Sequence, residues 1–430
     1  MIQHEFRRYW TAICHLGTNM RLLLAGAALL GLGNGIFMTF FNLYLKQGGL
    51  GEAFLGRLNS LGTIGSLALA IPAGLLVTRL GSRKSLVLSC ALIAVLGAVQ
   101  ANVLVPALLV VLQVGISAST MLYGATFNPE MMRSTDPQDR QVAFSLAFTT
   151  GTVMSVIASA MGGLLPRLFA RFGASPVTGL RLTLVVGAAF ILASTGVFIR
   201  LREHHSSSSG EQAVDTHSTL QNEPEVTPSW KRFAFRYAAV NVIIGFGAGL
   251  SIPYLNLYFT DRFHASTVVV GNLFAMSNAV LTVGVLLAPW LVRRAGLLRT
   301  IAVTVGGSLV FLVIMALTHN VVIAALAFWM RAGLMMCSTP VTDKFCLELV
   351  PSDKRSVAHN IFQMAWTGSW AVSTALGGWL IQKTGFTLPM VLTAAIYGIY
   401  LLFFVLSFRH HPAMQHPSMV CPPTIPVQAD

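Results

Sequence analysis

The chain is predicted to be an all-α membrane protein, with twelve transmembrane helices forming two pseudo-symmetric six-helix bundles. Three observations predict this. Of its 430 residues 54% are hydrophobic and only 10% charged, with a mean hydropathy of +0.69, whereas soluble domains carry about 25% charge. Twelve apolar runs approach the length of about 20 residues that a membrane-spanning helix needs. The first six runs also repeat in the last six, in a register that glycines mark.

The runs cover residues 22–45, 54–78, 84–102, 104–128, 141–165 and 181–200, then 234–258, 268–292, 300–318, 321–346, 357–381 and 388–408. The first follows basic residues, as the apolar core of a signal peptide would. It is too long for such a core and lacks a small-residue cleavage site, so it is read as the first span. Between the sixth and seventh runs lies a Ser-, Thr-, Pro- and Glu-rich stretch that cannot bury enough apolar surface to order itself. The expected organisation is a bundle over 1–200, a disordered cytoplasmic linker over 201–232, a second bundle over 233–409 and a Pro-rich disordered tail over 410–430.

An even number of spans puts both ends on one side. With the ends cytoplasmic, twenty of the 28 Lys and Arg fall in inner segments, seven in outer ones and one, Arg331, inside a span. The positive-inside rule therefore predicts cytoplasmic termini in an inner or cell membrane, and it accounts for the net charge of +13. The basic residues sit in short clusters between apolar runs, without interleaved aromatics, which excludes a nucleic-acid groove. Five scattered cysteines with no C-x-x-C pair indicate neither a disulfide framework nor a zinc site. The His204–His205 and His410–His411 pairs lack a third ligand and are read as solvated. No metal and no cofactor is expected.

The repeat is explicit. GNGIFMTFFNLYL at 33–45 aligns without gaps on GAGLSIPYLNLYF at 247–259. After one added residue of offset, Gly56 falls on Gly271, Gly81 on Gly296, Arg140 on Arg355, and Gly162–Gly163 on Gly377–Gly378. Such a repeat means a duplicated bundle, and two halves of this kind place a substrate site at the midplane between them.

The first inner loop reads Gly74-Leu75-Leu76-Val77-Thr78-Arg79-Leu80-Gly81-Ser82-Arg83-Lys84. It resembles the G-x-x-x-D-R-x-G-x-R-K signature of the major facilitator superfamily, with Thr78 in place of the usual Asp. Arg293, Arg294, Gly296 and Arg299 form a worn second copy. The resemblance implies a loop that latches one bundle to the other in the outward-facing state, weakened here because Thr78 brings no charge to a helix N-terminus. Its glycines would serve a tight turn and close helix contact. The bland reading of Arg79, Arg83 and Lys84 is topogenic charge alone. The fifth run has Ala158-Ser159-Ala160-Met161-Gly162-Gly163 where many proton-coupled drug exporters of that superfamily have G-P-x-x-G-G, which argues against that class.

Arg331 lies ten residues into the tenth run, roughly 15 Å deep, where an arginine costs at least about 2.5–3.5 kcal/mol. It is expected to face a wet cavity or an acceptor; the competing reading is a cap on backbone carbonyls. The family resemblance implies that the first, fourth, seventh and tenth helices line the cavity. That would gather Arg331 with Asn34 and with Gln113, Ser117 and Thr120, spaced i, i+4, i+7. The eleventh run adds Gln363, Trp366 and Trp370 on one stripe, opposite Phe148, Gly151 and Ser155 in the repeat, with core packing as the alternative. Glu52, Glu130, Asp343 and Glu348 fall near helix ends, so proton coupling is unsupported.

The expected function is therefore a secondary active or facilitative transporter moving a small organic solute, anionic or amphipathic, by alternating access. Its partners are that solute and the lipid bilayer, and a single chain is expected to suffice. The alternatives are drug or metabolite efflux by proton antiport, or a transporter-like sensor or assembly protein. A membrane-embedded enzyme would need a nucleophile and base or a metal cluster at one depth, and no such set stands out.

Overall fold

The computed structural model describes residues 17–136, 139–201, 230–351 and 354–408. Most of the linker, the tail, and the His204–His205 and His410–His411 pairs lie outside the described residues, as do the side chains of Asp343 and Glu348. The described residues form helices and no strand. The first bundle holds α1 (Thr18–Gln47), α2 (Glu52–Leu80), α3 (Ser82–Asn102), α4 (Pro106–Arg133), α5 (Arg140–Ala170) and α6 (Pro176–Phe198). The second holds α7 (Trp230–Phe263), α8 (Thr267–Ala295), α9 (Leu297–Leu317), α10 (Val321–Glu348), α11 (Arg355–Thr384) and α12 (Thr387–Phe408). Among the described residues nine helices are long and apolar enough to cross a membrane, and α2 makes a tenth if counted as one bent span. The short α10 stretch Val321–Cys337 is apolar as well.

Most helices extend a turn or so beyond the predicted runs, because hydropathy marks the part that meets lipid and not the helix ends. Two helices are not the straight rods expected. α2 bends by 54° between Ala70 and Pro72, where the proline removes a backbone donor. α7 is interrupted by a 3-10 turn at Ile252–Tyr254, around Pro253.

The packing obeys the repeat. In the first half α1 lies against α5 and α6, α2 against α4, and α3 against α4 and α6. Adding six to each label gives the contacts of the second half. The halves meet along α2 with α11 and α5 with α8, again a pair exchanged by the repeat.

Those two seams are made by glycines. A Cβ on Gly56 would lie 2.7 Å from the Thr374 carbonyl oxygen and from the Tyr254 hydroxyl, and one on Gly378 would lie 3.0 Å from the Cα of Gly56. On the other seam, a Cβ on Gly163 would lie 2.7 Å from the Thr267 carbonyl oxygen and 3.2 Å from the Cα of Gly271. Gly56 and Gly271 are repeat equivalents, as are Gly163 and Gly378, so one backbone-to-backbone contact is used twice. Between the seams, Asn42 Nδ2 donates to the Pro253 carbonyl and Asn256 Nδ2 to the Thr39 carbonyl, each at 2.9 Å. These too are equivalents. Lys46 adds ion pairs to Glu52 and, across the halves, to Asp261.

All these contacts lie at the helix ends remote from the termini. There a single apolar core takes Phe40, Tyr44 and Leu55 from the first half together with Tyr254, Phe259 and Leu273 from the second. Toward the termini each half has a core of its own. One is built on Leu23, Cys90 and Phe198, the other on Tyr237, Phe362 and Phe404. Among the described residues the bundles are thus fused at one end and separate at the other.

Overfilling a seam should be costly. Gly56→Val and Gly163→Val are each expected to destabilise by about 1–3 kcal/mol, read as a lower melting temperature in detergent. Gly74→Ala, with nothing within 4 Å of the added Cβ, should leave it unchanged.

Candidate functional site

Beneath the fused end lies a central cavity in two adjoining lobes, of about 550 and 730 Å³, within the range of small-ligand sites. Ile252, Phe274, Asn278 and Trp370 line both. All eight residues predicted for the site line one lobe or the other. Asn34, Gln113, Ser117 and Thr120 face the larger lobe, Arg331, Gln363 and Trp366 the smaller, and Trp370 belongs to both.

The larger lobe is uncharged, and its amide and hydroxyl side chains share the wall with apolar ones such as Phe37, Met38, Phe41 and Ile93. The Gln100 and Gln113 amides hydrogen-bond at 2.9 Å, while Thr120 and Thr63 donate to carbonyls of their own helices at 2.9 Å. A threonine hydroxyl committed in this way still offers lone pairs to the cavity. Asn59, Thr63 and Ser66 of α2 line this lobe at i, i+4, i+7, the spacing that marked Gln113, Ser117 and Thr120. The same pattern search would have found them.

The smaller lobe is aromatic and holds the cation. Arg331 is only 6% exposed, and its buried Nε has no hydrogen-bond partner. The Tyr397 phenol lines the same lobe. No Asp or Glu occurs among the described residues that line either lobe. Burying an unpaired charge costs far more than burying a paired one, and among the described lining residues no carboxylate is present to offset Arg331. The described residues contain no group of three or more His, Cys, Asp or Glu able to hold a metal.

Trp366 and Trp370 stack one turn apart, with ring centroids 5.0 Å apart and planes at 28°. Their placement follows from α7. A Cβ on Gly245 would sit 2.6 Å from the Trp366 carbonyl oxygen, and one on Gly249 would sit 2.7 Å from that of Trp370. Two glycines at i and i+4 thus bring α7 onto the α11 backbone, and the indoles turn toward the cavity. In the first half Gly31 and Gly35 bring α1 onto α5 at Gly151 and Ser155, the equivalents of Trp366 and Trp370. The scaffold is the same on both sides and only one side carries indoles, so the lobes differ. His359, Gln363, Trp366 and Trp370 form one stripe of α11 along the cavity wall. Asn278 and Tyr397 also line the cavity, and the sequence did not single them out.

The signature loop lies away from the cavity. Gly81 has φ 79°, ψ 164° and Gly296 φ 79°, ψ 159°, a region open essentially to glycine alone, and each joins two helices without a further loop residue. Arg83 donates to the Ile199 carbonyl at the end of α6, where the helix dipole favours a cation, and Arg133 reaches Ser82 Oγ at 3.3 Å. Thr78 donates to the Leu75 carbonyl of its own helix at 2.8 Å. Arg79, Lys84, Arg293 and Arg299 are exposed, and Arg294 lies 5.3 Å over the Trp290 ring. The expected close helix contact at Gly74 is absent, since nothing lies within 4 Å of its Cβ position. With the bundles apart at this end, no neighbour comes that near.

The profile of the Major Facilitator Superfamily matches residues 23–342 and 237–423. A cis,cis-muconate transport protein of Acinetobacter baylyi is 24% identical over 199 residues, 45% of this chain and 46% of that protein, so the match spans about half of its length. Among solved structures, the nucleoside transporter NupG superposes with a TM-score of 0.74 at 15% identity, covering 91% of this chain and 100% of that one. A bacterial homologue of the human lysosomal transporter Spinster, inward-facing and unoccupied, gives 0.70 at 14%, covering 91% and 96%. A D-xylose–proton symporter gives 0.69 at 13%, covering 92% and 97%. At these identities the structural likeness shows the fold alone.

Proposed function

Because this chain belongs to the Major Facilitator Superfamily, we propose that it carries a small organic anion across the membrane by alternating access, with Arg331 as the anion-binding group. It is a multi-pass transporter of small solutes; the anion is the finer reading. The observation that carries it is an arginine buried in the cavity wall, its Nε unpartnered, where the described lining supplies no carboxylate. The relative in Acinetobacter baylyi transports muconate, which is itself an organic acid. An organic anion in the smaller lobe would supply the missing charge, and the guanidinium fork suits a carboxylate in two-point contact.

Alternating access follows from the fold. Helices fused by two glycine seams at one end and parted at the other can rock about the cavity, exposing it to one side at a time. With the termini cytoplasmic, as the distribution of Lys and Arg indicates, the described conformation is inward-facing. The signature loop would then latch the separated ends when the bundles rock over. A single chain contains both bundles and the whole cavity, so we read the monomer as the working unit.

Arg331 variants in proteoliposomes test the anion reading. Arg331→Met removes a desolvated cation, so its melting temperature should hold or rise while uptake of organic anions such as benzoate and cis,cis-muconate falls at least about tenfold. Arg331→Lys keeps charge but loses the planar fork, and it should fold normally with weakened uptake. If Arg331→Met transports normally and only its stability falls, the arginine is a structural tie and the reading fails. For the orientation, an impermeant thiol reagent added to intact cells should label His264→Cys and spare Ser207→Cys; the reverse pattern would invert the topology.

A further inference from the structure

The two lobes differ in chemistry as well as in size. One end of the cavity offers a buried cation, the middle offers two stacked indoles, and the far end offers uncharged amides and hydroxyls set among apolar side chains. We propose that this cavity is built for a flat carboxylate, conjugated or aromatic, whose charged end meets Arg331 while its π-face lies against the Trp366–Trp370 pair and its other end hydrogen-bonds in the neutral lobe. The proposal deepens the organic-anion reading and rests on it.

Three features carry it. Both indoles line the cavity, and α11 is held there by backbone contact with Gly245 and Gly249, so the aromatic surface is positioned by the scaffold. Rigid indoles held by their supports lose little freedom when a flat ligand stacks on them. Trp370 and Asn278 line both lobes, so a ligand that spans the lobes passes beside an indole and an amide. Finally, Ser155 stands where the repeat would put a third large side chain opposite Trp370, and it lines the neutral lobe. The indole pair therefore has no indole counterpart in the first half, whose aromatic contribution to the cavity is Phe37 and Phe41. A saturated acid of the same length would fill the volume but would bring no π-face, and it would lose more rotor freedom on binding.

Titration calorimetry on the purified protein in detergent tests this with two matched pairs of probes: cis,cis-muconate against adipate, and benzoate against cyclohexanecarboxylate. Each pair keeps its carboxylates and carbon count and differs in unsaturation. The unsaturated member is expected to bind about five- to tenfold tighter in the wild type. In Trp366→Leu and Trp370→Leu, checked for unchanged melting temperature, the preference should fall to about twofold or less, and Trp370→Phe should keep most of it. Equal binding within each pair, a preference that survives both Leu substitutions, or no binding of any probe would overturn the proposal. Arg331→Met separates the two readings. If it weakens all four probes while no preference for flatness exists, the anion site stands and the aromatic platform falls; if it weakens none, the anion reading itself fails.

Discussion

Two backbone-to-backbone contacts, Gly56 with Gly378 and Gly163 with Gly271, hold the halves of this protein together, and the rest of the architecture depends on them. Lipid gives helices little hydrophobic reason to associate, so close packing and interhelical hydrogen bonds must do the joining. Glycine permits the approach, and the reciprocal Asn42 and Asn256 bonds fix its register. Every one of these groups has its counterpart in the other half. A contact made by a repeat is made twice, on either side of an axis between the bundles, and two such contacts at one end leave the other end free to part.

The same duplication explains where symmetry stops. Gly31 and Gly35 set α1 on α5 in the manner that Gly245 and Gly249 set α7 on α11, so the scaffold of both lobes is shared. Function enters at positions that the scaffold does not dictate. Trp366 and Trp370 stand where the first half has Gly151 and Ser155, and Arg331 brings to the second half a buried charge whose cost no described carboxylate in the cavity offsets. The two lobes of the cavity are therefore lined differently, one carrying Arg331 and the indole pair and the other uncharged amides and hydroxyls among apolar side chains.

Much of this could be read from the sequence because it is local. Apolar runs of spanning length, basic residues gathered between them and glycines in register are properties of short segments, and they gave the twelve helices and the two halves. The paired Asn-Leu-Tyr segments were visible as a repeat, although the bonds they make across the halves were not. Hydropathy treats a residue facing lipid and one facing a cavity alike, so the sequence does not tell which way the Trp366 and Trp370 rings point; in the structure both line the cavity. Tyr397 and Tyr400 share a stripe with Thr393 on α12, and Asn278 has Thr282 one turn on, but such short pairings do not by themselves tell a cavity wall from packing. Pro72 and Pro253 did mark the bend in α2 and the break in α7, but a long apolar run hides such interruptions.

The central claim is that the glycine-sealed end must open for transport, and a reducible cross-link across that seal tests it most directly. Ala53 N and Gln382 Oε1 hydrogen-bond between the halves at 3.0 Å. In a background with the five native cysteines replaced, Ala53→Cys and Gln382→Cys can be joined by a short bis-thiosulfonate reagent. Measured uptake should fall to background on cross-linking and return on reduction. Uptake that continues at the unlinked rate with the link complete would show that the solute crosses without parting the halves at this end, and the account would be wrong.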